Sequence, residues 1–220
     1  MLTDCQNNDK AVIFMPKGSP ELTNARKQEI IEACKTLYQE QSFDSVSILK
    51  IAEYTSFTRT SIYNYFETKE EIFLAIFQQE YEKWAEQLNA FIAEGGQKSK
   101  SEVAEMIASS LEERPLMLKL LSMNLFHMEE KSREERLVEF KVAFGNSFKA
   151  VDGILQTYCP EMDDNARQAF LYAFFPFIYG LYPYTNVTEK QKSAMIEAGI
   201  DYAYYSVHDL AYNCLIKLLK

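Results

Sequence analysis

Twenty-three residues, Ser47 to Lys69 (SILKIAEYTSFTRTSIYNYFETK), constrain the fold more tightly than any other part of this chain. Ser47 can cap a helix, because its hydroxyl accepts from a free amide of the first turn. Ile48, Ile51 and Ala52 then fall on one face at helical spacing. Thr55-Ser56-Phe57 interrupts that pattern and Thr58 supplies a second cap, with Ile62 and Phe66 four apart on the buried side. Thr68 supplies a third, followed by Glu70 and Glu71, where negative charge suits the helix dipole. The pattern predicts two short helices joined by a tight turn, then the start of a long helix.

The second short helix turns Arg59, Thr60, Ser61, Tyr63 and Asn64 to water. All five can hydrogen-bond base edges or phosphates, and none is acidic. An ordinary amphipathic helix of this length would carry Glu and Lys there. A helix that enters the DNA major groove needs this composition, with its N-terminal residues nearest the bases.

The quoted residues extend into a longer pattern, from Arg26 to about Phe77. It comprises an opening helix (ARKQEIIEACKTLYQEQSF), Ser47 with Ile51-Ala52, Thr58, the run Ile62-Tyr63-Asn64-Tyr65-Phe66, and Thr68-Lys69-Glu70-Glu71. This resembles the DNA-binding domain of TetR/AcrR-type transcriptional regulators and covers about a quarter of the chain. The family often has glycine where this sequence has Ser42, Ser56 and Thr60. The resemblance implies that Arg59, Thr60 and Ser61 approach base edges, next to the cap Thr58. It implies that Ser47, Tyr63, Asn64, Tyr65 and Lys69 contact phosphate or fix the helix on the backbone. Tyr65 fits packing against the first helix equally well.

The resemblance also places the later helices around a regulatory cavity for a small apolar effector. Candidate lining residues are Trp84, Met117, Leu121, Phe126, His127, Phe144, Phe148, Tyr172, Phe175 and Tyr179, with Met123 and Phe140 beside them. Aromatic and Met side chains with a few polar tips suit such a pocket. One by one, they fit an ordinary helical core at least as well.

Two hundred and twenty residues suffice for one large or two small domains. Seven Gly, six Pro and long runs of helix formers argue for an all-α fold, and no alternating segment asks for a sheet. The net charge of −9 is unusual for a DNA binder, so its distribution matters. Residues 1–69 hold 8 of the 23 basic and 9 of the 32 acidic side chains, net −1, which leaves −8 for the remainder. Phosphate contacts would then be few, local and made largely by neutral polar groups. Cys5, Cys34, Cys159 and Cys214 lack metal or disulfide spacing, which fits a reducing cytoplasm. Phe170–Tyr184 is too short to span a membrane.

In order, residues 1–22 read as a flexible tail, with Lys10 and Lys17 available to backbone phosphate. Residues 23–72 form a three-helix helix-turn-helix DNA-binding domain, and a long helix from Thr68 to about Glu94 links it to the rest. Residues 73–220 form a helical regulatory and dimerisation domain. There, Ser101 caps a helix to about Glu113, Pro115 starts one to about Glu129, and a long helix ends near Tyr158. A very apolar helix from Asp163 or Asp164 through Tyr182, kinked at Pro176, follows. Thr188 caps a short helix, and the last spans about Asp201 to Leu219. The helices near 163–182 and 201–219 are apolar on more than one face, which suits a homodimer interface.

His127 and His208 lack convergent partners for a metal, and no nucleophile triad, phosphate loop or carboxylate pair appears. The sequence therefore reads as a non-enzymatic regulator without cofactor. It would be a repressor that binds a palindromic double-stranded operator as a dimer and is released by an effector. The competing class is a helical small-molecule or lipid carrier with a non-functional helix-turn-helix.

Overall fold

Ser19 opens the first helix earlier than the periodicity predicts. Its hydroxyl accepts from the Leu22 amide at 3.2 Å, Pro20 occupies the first helical position and Glu21 sits in the first turn. Proline belongs there, since its missing amide would have had no partner. Residues 20–22 are thus helix rather than tail. The computed structural model describes residues 19–123 and 125–220. The expectation of a flexible segment with phosphate-facing Lys10 and Lys17 lies outside them. The chain divides into two units between Tyr65 and Phe66.

The first unit contains α1 (Pro20–Glu40), a 3-10 turn at Phe43–Ser45, α2 (Ile48–Glu53) and α3 (Arg59–Ile62). Ile30, Cys34, Leu37, Tyr38, Val46, Ile51 and Ile62 are all buried, so one small core holds the three helices. Ser47 and Thr58 cap α2 and α3 as expected. The second short helix is shorter than the pattern suggests: Tyr63, Asn64 and Tyr65 form a turn after it.

The second unit is built on two long helices, α4 (Lys69–Glu94) and α8 (Glu134–Tyr158), which pack along their lengths. Between them in sequence come α5 (Lys100–Glu112), α6 (Pro115–Leu121) and α7 (Leu125–Glu130). After them come α9 (Asp164–Thr185), α10 (Glu189–Glu197) and α11 (Val207–Leu218). The core fills with large rings from α4 (Phe73, Phe77, Tyr81, Trp84), Phe140 of α8 and Phe174 of α9, all essentially inaccessible. Every element among the described residues is helical, as the sequence implied. No described helix is long and apolar enough to cross a membrane.

Several boundaries differ from expectation for local reasons. Ser99, not Ser101, caps α5, because it forms a capping box with Glu102, whose carboxylate returns to the Ser99 amide at 2.8 Å. The predicted helix from Pro115 to Glu129 is two helices. At the break, the Ser122 hydroxyl donates back to the Lys119 carbonyl at 2.7 Å, an alternative to continuing the ladder. Helix α9 runs through Pro176 and Pro183 to Thr185. Both prolines are exposed, so neither ring takes a place in the core. Residues 201–206 are not helical. Gly199, with φ +69°, follows the end of α10, and a capping box of Ser206 and Asp209 starts α11.

At the start of α4 a buried carboxylate fastens the turn that precedes α8. Glu71 is fully buried and accepts from the Glu67 amide at 2.8 Å and the Arg133 amide at 3.0 Å. Arg133 Nε and Nη2 add two further bonds, both at 2.7 Å. Burial alone would raise the Glu71 pKa, but the Arg133 hydrogen bonds and backbone amides outweigh it and hold the carboxyl below its usual range. The Thr68 hydroxyl donates to the Lys131 carbonyl at 3.1 Å, and the Arg136 guanidinium lies 5.5 Å from the Phe66 ring centre.

Candidate nucleic-acid interface and small-molecule groove

Seven of the nine candidate DNA-contacting residues are consecutive or nearly so around α3. The Thr58 hydroxyl accepts from the Ser61 amide at 3.4 Å and lies 3.1 Å from the Ser61 hydroxyl, which fixes the start of the helix. With Ile62 sunk in the core, Arg59, Thr60, Tyr63 and Asn64 are left exposed and Ser61 half-buried. Arg59 folds along its own helix: Nη2 donates to the Tyr63 hydroxyl at 3.1 Å, and the guanidinium sits 5.6 Å from the Tyr63 ring centre. The side chain is thereby held flat on the surface, ready to exchange this contact for a stronger acceptor. Ser47 lies at the start of α2. Lys69, at the first position of α4, belongs to the second unit, so the structure does not join it to the other eight.

Two long-range contacts brace this face from α1: the first is the packing of Tyr65 against the first helix that the sequence left open, and the second was not singled out by the sequence pattern. Arg26 Nη1 donates to the Tyr65 hydroxyl at 3.1 Å. Tyr65 is therefore held against the first helix, and its hydroxyl sits beside a guanidinium. Glu29 accepts from the Ser56 amide through Oε1 and from the Ser56 hydroxyl through Oε2, the latter at 3.1 Å. Arg26, Glu29, Ser56, Ser61, Asn64 and Tyr65 border a polar cleft of about 460 Å³. These contacts join residues 27 and 39 positions apart, and no local spacing could reveal them.

The Glu29 contact also explains why serine serves where relatives often have glycine. No described non-glycine residue has a positive φ, so the turn at Ser56 needs no glycine, and the added hydroxyl gains a partner. Ser42 begins the 3-10 turn in extended backbone, and Thr60 is ordinary helix. Replacing Glu29 with Ala is expected to destabilise the first unit by about 1 kcal/mol, since both bonds are exposed to water. Urea unfolding checks this, and Ser56→Gly should show about half the loss.

Five of the ten candidate effector residues come together. Phe144 and Phe148 of α8 face Tyr172, Phe175 and Tyr179 of α9 across an open groove of about 490 Å³, completed by Leu171 and Pro176. The rings interlock: Phe148 and Phe175 have centroids 4.9 Å apart, and Phe144 meets Phe175 edge-on at 5.5 Å. The other five lie elsewhere. Trp84, Met117 and Leu121 are core residues, and Trp84 Nε1 donates to the Ser110 hydroxyl at 3.0 Å. Phe126, 77% exposed, and His127 stand on the outer face of α7. Met123 is half-buried outside the groove, and Phe140 is core.

His208 opens α11, with Nε2 2.9 Å from Glu105 Oε1 and its ring stacked on Tyr212. Among the described residues no group of three or more His, Cys, Asp or Glu could hold a metal ion.

Residues 30–76 match the family described as "Bacterial regulatory proteins, tetR family". Residues 78–206, more than half of the chain, match "Tetracyclin repressor-like, C-terminal domain". The chain belongs to the TetR family of transcriptional regulators. The TetR-family segment of residues 30–76 contains α2, α3 and the turn between them, so the capped helix pair is the family's DNA-binding helix-turn-helix. The family consists of regulators, not enzymes.

Among curated relatives, the HTH-type transcriptional regulator YfiR of Bacillus subtilis is 33% identical over 63 residues, 29% of this chain and 31% of that protein. The HTH-type transcriptional repressor AcnR of Corynebacterium diphtheriae is 28% identical over 82 residues, 37% of this chain and 41% of that protein. The chain thus spans about a third of the length of the curated relatives it matches. The solved structure of FadR from Bacillus subtilis in complex with stearoyl-CoA superposes with TM-score 0.58 at 18% identity, covering 88% of this chain and 97% of that one. At that identity the likeness is one of fold alone.

Proposed function

We propose that this TetR-family regulator is a repressor that binds a palindromic operator as a homodimer and leaves it when a small apolar effector binds the second unit. The observation that carries this reading is the α3 face. A Thr58-capped helix, anchored by Ile62, turns Arg59, Thr60, Tyr63 and Asn64 outward with no acidic side chain among them. Arg59, Thr60 and Ser61 read base edges, while Ser47, Tyr63, Asn64, Tyr65 and Lys69 hold phosphates. Residues 23–72 act as the reading domain, with α4 as the element that relays the effector's signal.

Dimerisation is supported by the outer side of α9, where Ala166, Ala169 and Ala173 are exposed and Gly180 half-buried. Small side chains let a partner helix approach closely, and α11 packs beside α9 to widen the surface. Since residues 201–206 are not helical, the interface uses α9 and α11 from Val207 onward. The groove between α8 and α9 is the effector site, and the stearoyl-CoA held by Bacillus subtilis FadR supports an apolar occupant. The protein works in the cytoplasm, where it meets DNA.

Selection from random duplex DNA tests the reading. A recovered palindrome, with half-sites a helical turn or more apart and affinity falling steeply with salt, is the expected result. Effector and operator must then lower each other's affinity by the same factor. An effector that binds equally well with and without operator would refute release. A protein that enriches no sequence after refolding to strip bound ligand would refute DNA reading.

A further inference from the structure

Among the described residues two buried side-chain polar atoms lack a hydrogen-bond partner, the Tyr81 hydroxyl and Arg114 Nε. Arg114 is engaged through Nη2, which donates to the Lys83 carbonyl at 3.1 Å and to Gln87 Oε1 at 2.6 Å. Tyr81 has no such second contact, since its side chain carries a single polar atom and is wholly buried. Folded proteins seldom leave a buried hydroxyl unpaired, because it has lost water and gained nothing. Nor can the ring swing out to find water. It is stacked on Phe77 at 4.7 Å, tilted against Phe140 at 5.9 Å and edge-on to Phe144 at 5.6 Å.

Two of its neighbours, Phe144 and Tyr179, are walls of the α8–α9 groove. Burial, and then the nearby Tyr179 hydroxyl, push the Tyr81 pKa well up, so Tyr81 stays a proton donor at any physiological pH. The Tyr179 hydroxyl is close enough to act on Tyr81, yet the pair falls short of a well-formed hydrogen bond, so the Tyr81 donor stays poorly satisfied. Phe144 and Tyr179 are only half-buried, and a molecule in the groove reaches Tyr81 when one of them turns aside.

We propose that the groove takes an uncharged, largely apolar molecule carrying one hydrogen-bond acceptor, and that Tyr81 selects for this acceptor by donating its hydroxyl to it. The proposal rests on the reading of the groove as the effector site. The walls are aromatic and aliphatic, and no charged side chain lines them. The carboxylate whose field reaches Tyr179, that of Glu129, opposes an anion and is already paired with Lys141 at 2.5 Å.

The test uses three probes of similar shape: 4-phenylbutan-2-one, butylbenzene and 4-phenylbutyrate. Trp84 is the single tryptophan and lies 6.0 Å from the groove wall Phe175, so its emission reports binding. The full-length protein should bind the ketone roughly tenfold more tightly than the hydrocarbon, and the anion least. Tyr81→Phe should erase that preference while leaving hydrocarbon affinity unchanged. The same substitution should raise the Tm of the unliganded protein by about 2–4 °C, because it removes an unsatisfied group. Equal affinities for ketone and hydrocarbon, or a preference that survives Tyr81→Phe, would overturn the role of Tyr81 and leave the groove as effector site intact. If no probe binds, and Tyr172→Arg converts a dimer to monomers, a second copy covers the groove and both the proposal and the effector reading fall.

Discussion

Glu71→Ala will destabilise the second unit by roughly 2–4 kcal/mol. Removing one partner of a buried ion pair commonly costs more, but the Arg133 side chain is 38% exposed and water takes up part of the loss. The size of the effect follows from what the carboxylate does. It receives two backbone amides and two guanidinium nitrogens, and its removal leaves the Glu67 and Arg133 amides without their acceptor. The pH dependence has a definite sign. A folded-state pKa below the unfolded one, about 4.3, gives stability that is present above pH 4.3 and lost as pH falls through the folded value. The melting temperature of the wild type should therefore fall in acid, and that of Glu71→Gln should fall less. Parallel acid profiles for the two proteins would show that this carboxylate is not the group being titrated.

Arg59→Ala will weaken operator binding by roughly 1–3 kcal/mol, concentrated at one base pair, if the guanidinium reads guanine. In the free protein Arg59 gives one hydrogen bond to Tyr63 and lies over its ring, both at the surface. Exposed contacts of this kind contribute little to folding, so the variant should melt with the wild type. Tyr63→Phe should instead lower affinity for all sequences alike. Competition assays against operators altered at single positions separate the two outcomes. An Arg59→Ala loss of equal size on specific and nonspecific DNA would assign Arg59 to phosphate.

Much of the first unit was readable because its signals are local. A cap and the buried residues three or four positions later fix a short helix, and Ser47 and Thr58 sit where their hydroxyls meet the free amides. The side chains of α3 followed from the same logic, since burying Ile62 leaves Arg59, Thr60 and Tyr63 no direction but outward. The second unit was harder. Ser99 and Ser101 are both plausible caps by residue type, and Glu102 decided for Ser99 through the reciprocal bond of a capping box. At 201–206 apolar content suggested helix, whereas Gly199 and the Ser206–Asp209 box ended and restarted it.

The ligand candidates show where sequence stops. Trp84, Met117 and Phe148 are all large apolar residues on helices, yet Trp84 and Met117 are core while Phe148 is a half-buried groove wall. Composition cannot separate these cases, because a core and an apolar groove use the same side chains. Sequence by itself determined the helical class, the capped pair at residues 47–62 and the polar face of α3, all set by contacts within one turn. Only the tertiary structure decided which aromatic rings enclose space, that Glu29 holds the turn at Ser56, and that the Tyr81 hydroxyl is buried without a well-formed hydrogen bond. Each depends on residues distant in sequence, which local periodicity does not encode.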